Sequence, residues 1–188
     1  IEGIKINESF LKKLSEKFQN KIDKLEKDIF KISKKNFKIG STKQLGEIMY
    51  NELKISTLKK TKKGSFATSA SVLEDLAFKG HLLPKYVHEW RQLSKLKNTY
   101  SDTLPEHINP KTNRVHTSFL LAATSTGRLA SSDPNLQNIP IKTSDGNDIR
   151  KAFVAEKNKS LISADYNQIE MRILLSLIHI SEPTRLGM

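Results

Sequence analysis

The chain has 188 residues, with 32 Lys and Arg against 20 Asp and Glu for a formal net charge of +12, 37% hydrophobic residues and no cysteine. That length supports one domain or a small pair with a core; the absent cysteines exclude a disulfide framework and a thiolate metal site, and no stretch approaches the ~18 apolar residues of a transmembrane helix. The charge excess points to a polyanionic partner, most simply nucleic acid, although an AT-rich genome also writes a Lys-heavy chain. Without a signal-peptide layout the expected location is the cytoplasm, and a first residue Ile1 in place of Met suggests a start further upstream.

Gly3 to Ile6 reads as an extended lead-in, and Asn7 stands where a helix N-cap belongs. Leu11, Leu14, Phe18, Ile22, Leu25, Ile29 and Ile32 then repeat at spacings of three and four. The pattern predicts a long amphipathic helix, in a domain or in a free coiled coil, ending at a turn near Phe37 to Gly40. Ser41 caps a second predicted helix, with Leu45, Ile48, Met49 and Leu53 inward. The run KKTKKG, Lys59 to Gly64, has a solvated loop as its default reading. Ser69 caps a short helix, Ala70 to Lys79, that buries Val72, Leu73 and Leu76. From Leu83 to Leu104 a helix carries the stripe Tyr86, Trp90, Leu93, Leu96 and Tyr100, read as core rather than as a base-stacking surface. Pro84 suits its first turn and Pro105 closes it.

A turn at Pro110 leads into a predicted strand, Ser118 to Ala123. His116 has no second His, Cys or acid at ligand spacing and reads as a hydrogen-bonded structural residue. Ile149 to Ala155 and Leu161 to Ala164 alternate as two further strands, with Lys157 to Ser160 as the hairpin turn between them. The second strand delivers Asp165 at its end, followed by Asn167 as a cap and a helix bearing Ile169, Arg172 and Ile173 on one face. A strand-end Asp can hold a hard cation on rigid backbone; it can equally just end a strand. Thr124 to Pro140, TSTGRLASSDPNLQNIP, is polar throughout with almost nothing to bury.

Two of these stretches carry a resemblance. Gly127, Arg128, Leu129 and Asp133 to Pro140 match a TGRLSSxDPNLQNIP segment, and Asp165, Tyr166, Gln168, Ile169, Glu170 and Arg172 match DYSQIELR, with Asn167 for Ser and Met171 for Leu. Both are motifs of family A DNA polymerases of the bacterial DNA polymerase I type, the second being motif A. The SxKQLG segment at Ser41, KKTKKG with Thr68, RQLSKLKNTY and the His116, Thr117, Phe119 pattern are similar to that family too. The resemblance runs from about Gly3 to Leu174.

It implies an α+β fragment: a mainly helical thumb over residues 1–108, then the opening antiparallel strands of a palm, with motif A, over 109–174. It implies two Mg²⁺ ions in the intact enzyme, bridged by Asp165, with the Tyr166 carbonyl as a further ligand. Glu170, with Gln168, would border the incoming nucleotide, where Glu170 excludes a ribose 2′-hydroxyl. Arg128 would read minor-groove acceptors that every base pair offers, and Asn135, Gln137 and Asn138 would meet primer and template. Lys59, Lys60, Lys62 and Lys63 at the thumb tip, with Lys95 and Lys97, would grip phosphates. Expected partners are primer–template duplex DNA and deoxynucleoside triphosphates, for a monomer away from membranes.

The family's second palm carboxylate, in an HDE-type motif, and its fingers helix have no counterpart here, so the chain by itself is expected to be inactive. The 5′ and proofreading nuclease domains would lie upstream. The run from Leu175 to Arg185, with LIHISEPTR and Pro183, resembles the translation of a sequencing-library adaptor, and residues 175–188 are expected to be non-native, so His179 and Glu182 are not read as a site. Two other readings stand beside this one. A noncatalytic DNA-binding protein derived from a thumb would have no reason to keep Asp165 and Glu170 together, and a single-subunit RNA polymerase would have no use for Glu170.

Overall fold

Asn7 starts the longest element. In a computed structural model, which describes residues 2–55, 66–141 and 143–181, its side-chain oxygen accepts the Phe10 N–H at 3.0 Å and opens α1, Glu8–Ser33. The expected stripe is the buried one: Leu11, Leu14, Phe18, Ile22 and Ile29 face inward, with Leu25 and Ile32 half-buried. The helix stops earlier than the turn at Gly40 suggested. Ser33 is buried and its hydroxyl donates to the Lys35 carbonyl at 2.8 Å, while Lys34 turns left-handed at φ 54°.

Ser41 caps α2, Thr42–Gly46, which passes into a π-turn over Glu47–Glu52. There the Leu53 N–H reaches back five residues to the Ile48 carbonyl at 2.9 Å. The wider turn rotates the face, so Leu45, Ile48 and Met49 are buried while Leu53 is exposed. After α3, Ala70–Phe78, comes α4, Leu82–Leu96, which continues as a second π-turn over Lys97–Ser101 and then α5, Thr103–Glu106. Ser69 stands at the N-cap of α3, but its hydroxyl meets that of Ser71, 3.1 Å away, rather than a backbone N–H.

α1 packs along α4, and two apolar clusters form about that pair. One gathers Leu11, Leu14, Phe18 and Ile22 with Leu93, Leu96, Tyr100, Val115, Ile139 and Ile149. The other gathers Ile29 with Leu45, Met49, Leu73, Leu83 and Val87. Trp90 packs against both, and its indole N–H donates to Glu26 on α1 at 2.9 Å.

The strands are short and pair antiparallel in twos. β1, Lys5–Ile6, pairs with β6, Phe153–Val154; β2, Ile108–Asn109, with β3, Arg114–Val115; β4, Ser118–Leu120, with β5, Ala130–Ser132. An isolated bridge, Ile4 to Val115, joins β1 to β3. The expected hairpin around Lys157 to Ser160 does not form. Thr143 instead caps α6, Ser144–Arg150, its hydroxyl accepting the Gly146 N–H at 3.1 Å, and this draws Ile149 and Arg150 into a helix. The strand shrinks to Phe153–Val154 and takes its ladder from Lys5–Ile6. Leu161 to Ala164 carries no strand pairing, because alternation sets a face but a ladder needs a neighbour.

Residues 1–154 form one compact unit and 155–188 a second. In the second, Lys159 donates its backbone N–H to the Glu156 carbonyl at 3.0 Å, and α7, Ile169–Ser181, begins inside motif A and runs past Leu175. No helix among the described residues is long and apolar enough to cross a membrane.

α6 is held to α1 by charge. Lys17 reaches Asp148 at 2.8 Å and Lys21 reaches Asp145 at 2.7 Å, while Lys151 holds the other Asp148 oxygen at 2.8 Å. Hydrogen bonds from Lys151 and then Lys17 bring the Asp148 carboxyl down from 3.8 to about 2. A depressed carboxylate stabilises the fold above its unfolded value near ~3.9 and ceases to do so as pH falls through its folded value. The thermal midpoint should therefore drop between about pH 4 and pH 2, and Asp148→Asn should flatten that part of the profile relative to the parent; an identical profile would remove Asp148 as a cause.

Candidate functional site

The polar run 124–140 folds around the β4–β5 hairpin with side chains supplying what a ladder does not. Thr124 donates its hydroxyl to the Arg128 carbonyl at 2.8 Å, and the Gly127 N–H reaches the Thr124 carbonyl at 3.2 Å. Gly127 sits at φ +71°, where a side chain is strained. This closed turn presents Arg128 with its residue surface exposed. Past β5, the Thr117 hydroxyl lies 2.7 Å from the Pro134 carbonyl and 3.1 Å from that of Ser132.

Asn135 organises the next bend. Its Oδ1 accepts the Gln137 backbone N–H at 3.0 Å and the Ser131 hydroxyl at 3.1 Å. The Gln137 amide donates from Nε2 to the Leu129 carbonyl at 3.1 Å. These two amides thus brace their own loop while remaining exposed, as Asn138 is. The Asn138 carbonyl accepts the Tyr100 hydroxyl, and the next two carbonyls, Ile139 and Pro140, accept from the Arg150 guanidinium at 3.1 and 3.4 Å.

α1, α4 and the 138–145 segment enclose an open cavity of about 700 Å³. It brings Lys95 and Asn138 to one cleft, above Leu25, Leu93, Leu96 and Tyr100. Lys97 is placed differently: its side chain is 18% exposed and its ammonium holds Asp102 at 2.6 Å. Lys59, Lys60, Lys62 and Lys63 lie outside the described residues. His116 bonds the Thr112 hydroxyl at 2.7 Å, the structural role its sequence context suggested.

In the second unit Asp165, Tyr166, Gln168 and Glu170 are all exposed. Gln168, at φ +52°, stands before α7, and its carbonyl accepts the Arg172 N–H at 3.1 Å. It therefore takes the capping position expected for Asn167. The Asp165 carboxylate and Tyr166 carbonyl are hard oxygen donors of the kind Mg²⁺ takes. Among the described residues no group of three or more His, Asp or Glu could hold a metal.

Three residues stand out that the sequence did not flag. Tyr100 read as core, and it is, but a buried phenol also needs a partner; that was the available signal. Arg150 gave none, since its partners lie across a turn. Arg91, four residues before Lys95 on α4, donates from Nη1 to the Thr68 carbonyl, while its Nη2 is buried with no hydrogen-bond partner. Burial pushes this guanidinium down from its ordinary value.

A sequence model of DNA polymerase family A matches residues 8–186. The chain is similar to DNA polymerase I of Rhizobium leguminosarum, 48% identical over 97% of this chain and 18% of that protein. It is also similar to DNA polymerase I of Caldicellulosiruptor bescii, 47% identical over 98% of this chain and 21% of the relative. Its fold superposes on the POL domain of Pol1 from M. smegmatis, in complex with DNA primer-template and dNTP, at a TM-score of 0.85. That match has 38% identity and covers 94% of this chain and 31% of the other. The chain spans about a fifth of the length of the curated relatives it matches.

The closed turn at Gly127 yields a direct test. Gly127→Ala meets open space but keeps the left-handed φ, so the cost is backbone strain of about 1–2 kcal/mol. Urea unfolding should show that loss, or amide exchange should show it confined to the 124–128 turn; unchanged stability by both would mean the turn relaxes without cost.

Proposed function

The chain belongs to DNA polymerase family A, and from that premise we propose that it is the thumb, residues 1–108, and the opening palm, 109–174, of a bacterial DNA-directed DNA polymerase acting in the cytoplasm as a monomer. What supports this most is the superposition, over 94% of the chain, on a polymerase domain complexed with primer-template and dNTP. Its partners in this reading are primer–template duplex and deoxynucleoside triphosphates. Residues 175–188 take no part in it.

The roles follow from the residues' chemistry. Arg128, on its closed turn, offers guanidinium donors to minor-groove acceptors without reading sequence. Asn135, Gln137 and Asn138 lay an amide edge along primer and template, and Lys95 meets phosphate from the facing helix. Lys59, Lys60, Lys62 and Lys63 add charge at the thumb tip, and Lys97 adds its own if the Asp102 pair opens. Asp165 and the Tyr166 carbonyl would hold Mg²⁺ as hard oxygen donors, together with a second carboxylate from elsewhere in the polymerase. Such ions, when bound, lower the pKa of an attacking hydroxyl and neutralise a triphosphate. Glu170, with Gln168, borders the sugar of the incoming nucleotide and excludes a ribose 2′-hydroxyl by occupying its space.

The chain should bind duplex DNA weakly, without sequence preference, and with a steep loss on raising salt. Six neutralised phosphates correspond to a log–log slope of about −5. Fluorescence anisotropy at several salt concentrations measures it; a salt-insensitive affinity or a strong sequence preference refutes the reading.

With Mg²⁺ and a primed template the chain should add no nucleotide. Placed within a complete polymerase domain, Asp165→Ala should lose activity by several orders of magnitude, having no comparable substitute ligand. Glu170→Ala in that setting should raise the ratio of rNTP to dNTP kcat/KM while lowering activity somewhat. An unchanged ratio would take Glu170 out of the sugar's path and favour a ribonucleotide-using enzyme.

A further inference from the structure

Three consecutive backbone carbonyls, those of Asn138, Ile139 and Pro140, each accept a hydrogen bond from a side chain of another element. The segment has no ladder of its own, and Pro140 has no N–H to offer one. Tyr100, on the π-turn that continues α4, holds the first carbonyl; Arg150, at the end of α6, holds the other two. Both donors are themselves fixed. Tyr100 is 2% exposed in the core cluster that also contains Ile139. Arg150 rides on a helix bound to α1 through Lys17–Asp148 and Lys21–Asp145. Gly146 permits the close seat of that helix, since a Cβ there would stand 2.8 Å from both the Pro140 ring and its carbonyl oxygen.

We infer that Tyr100 and Arg150 are positioning residues for DNA: by gripping carbonyls 138–140 from behind, they fix the direction in which the exposed Asn138 amide, and the Asn135–Gln137 bend before it, face a duplex. The inference rests on the DNA-binding reading above and deepens it. A loop held only by its own side-chain turns samples several orientations, and ordering it on contact with DNA would weaken binding. Two anchors from two different elements remove that loss before DNA arrives. Neither anchor needs to touch the nucleic acid.

The test uses the full chain and a mixed-sequence duplex in fluorescence anisotropy across a salt series, with Tyr100→Phe, Asn138→Ala, the double variant, Arg150→Lys and Arg150→Gln. Tyr100→Phe keeps ring, burial and charge and deletes one O–H. It should weaken binding about threefold to tenfold, the range spanned by one hydrogen bond's net worth, and leave the salt slope unchanged, since no phosphate contact is lost. The double variant should lose less than the product of the two single losses, because the Asn138 amide already removed cannot be misdirected and only the Asn135–Gln137 bend still can. Arg150→Lys should recover part of what Arg150→Gln loses, as an ammonium can hold one of the two carbonyls.

Equal binding by Tyr100→Phe and the parent, or losses at Tyr100 and Asn138 that simply multiply, overturns the inference while the DNA-binding reading stands. A salt slope shallower by about one in Arg150→Gln, fully restored by Lys, would make Arg150 a phosphate contact and overturn its positioning role. Absence of duplex binding by the parent brings down the DNA-binding reading itself, and the inference with it. Should Tyr100→Phe fail to fold, as circular dichroism would show, the Arg150 pair decides by the same criteria.

Discussion

The packing of α1 against α4 is the contact on which the first unit depends. α1 reaches both apolar clusters, with Leu11 to Ile22 in one and Ile29 in the other, and α4 answers it with Leu93 and Leu96 in the first and Leu83 and Val87 in the second. Trp90 sits where the two clusters meet and adds the indole bond to Glu26, which fixes register as well as separation. The same helix then carries Lys95 and, through the π-turn, Tyr100. A change in the α1–α4 packing would therefore shift the cleft that holds Lys95 and Asn138.

The polar segment 124–140 shows the opposite strategy. It buries Ser131, Pro134 and Ile139 and little else, so hydrophobic burial cannot order it. Order comes from short-range polar closure: Thr124 to Arg128, Asn135 to Gln137, Gln137 to Leu129 and Thr117 to Pro134. Each such bond contributes only about 1 kcal/mol net. Collectively they order a loop that leaves the Arg128 guanidinium and the Asn135, Gln137 and Asn138 amides exposed, beside Leu129 and Asp133. Its far end is then tied to the two helices by Tyr100 and Arg150.

The chemistry is divided between two units. The residues proposed to contact DNA, Arg128, Asn135, Gln137, Asn138 and Lys95, belong to residues 1–154, and those proposed to meet metal and nucleotide, Asp165, Tyr166, Gln168 and Glu170, to the unit that begins at Ala155. In the second unit the carboxylates stand on exposed backbone beside apolar residues, Ile169, Ile173 and Leu174, that are exposed as well. A carboxylate in water holds a divalent ion weakly on its own; desolvation and further ligands make such a site.

Local signals in the sequence determined much. Asn7 and Ser41 cap where a short polar oxygen precedes an apolar stripe, and the stripes of α1, α3 and α4 fall inward because a helix repeats near 3.6 residues. The motifs around Arg128 and Asp165 pointed to the family before any geometry, since long motifs with rigid spacing survive intact. Thr143, followed by Ser144 and Asp145, has the residue types of a cap, and the helix it starts takes Ile149 and Arg150 out of the expected strand. Tertiary structure alone decided the rest. Phe153–Val154 could pair with any extended segment, and only the path of the chain brings Lys5–Ile6 beside it. Lys95 and Lys97 look alike in sequence, yet one lines the cleft and the other is tied to Asp102. The grip of Tyr100 and Arg150 on carbonyls 138–140 was invisible for the same reason: backbone carbonyls are the same at every residue, so no side-chain pattern can announce which of them a distant donor will meet.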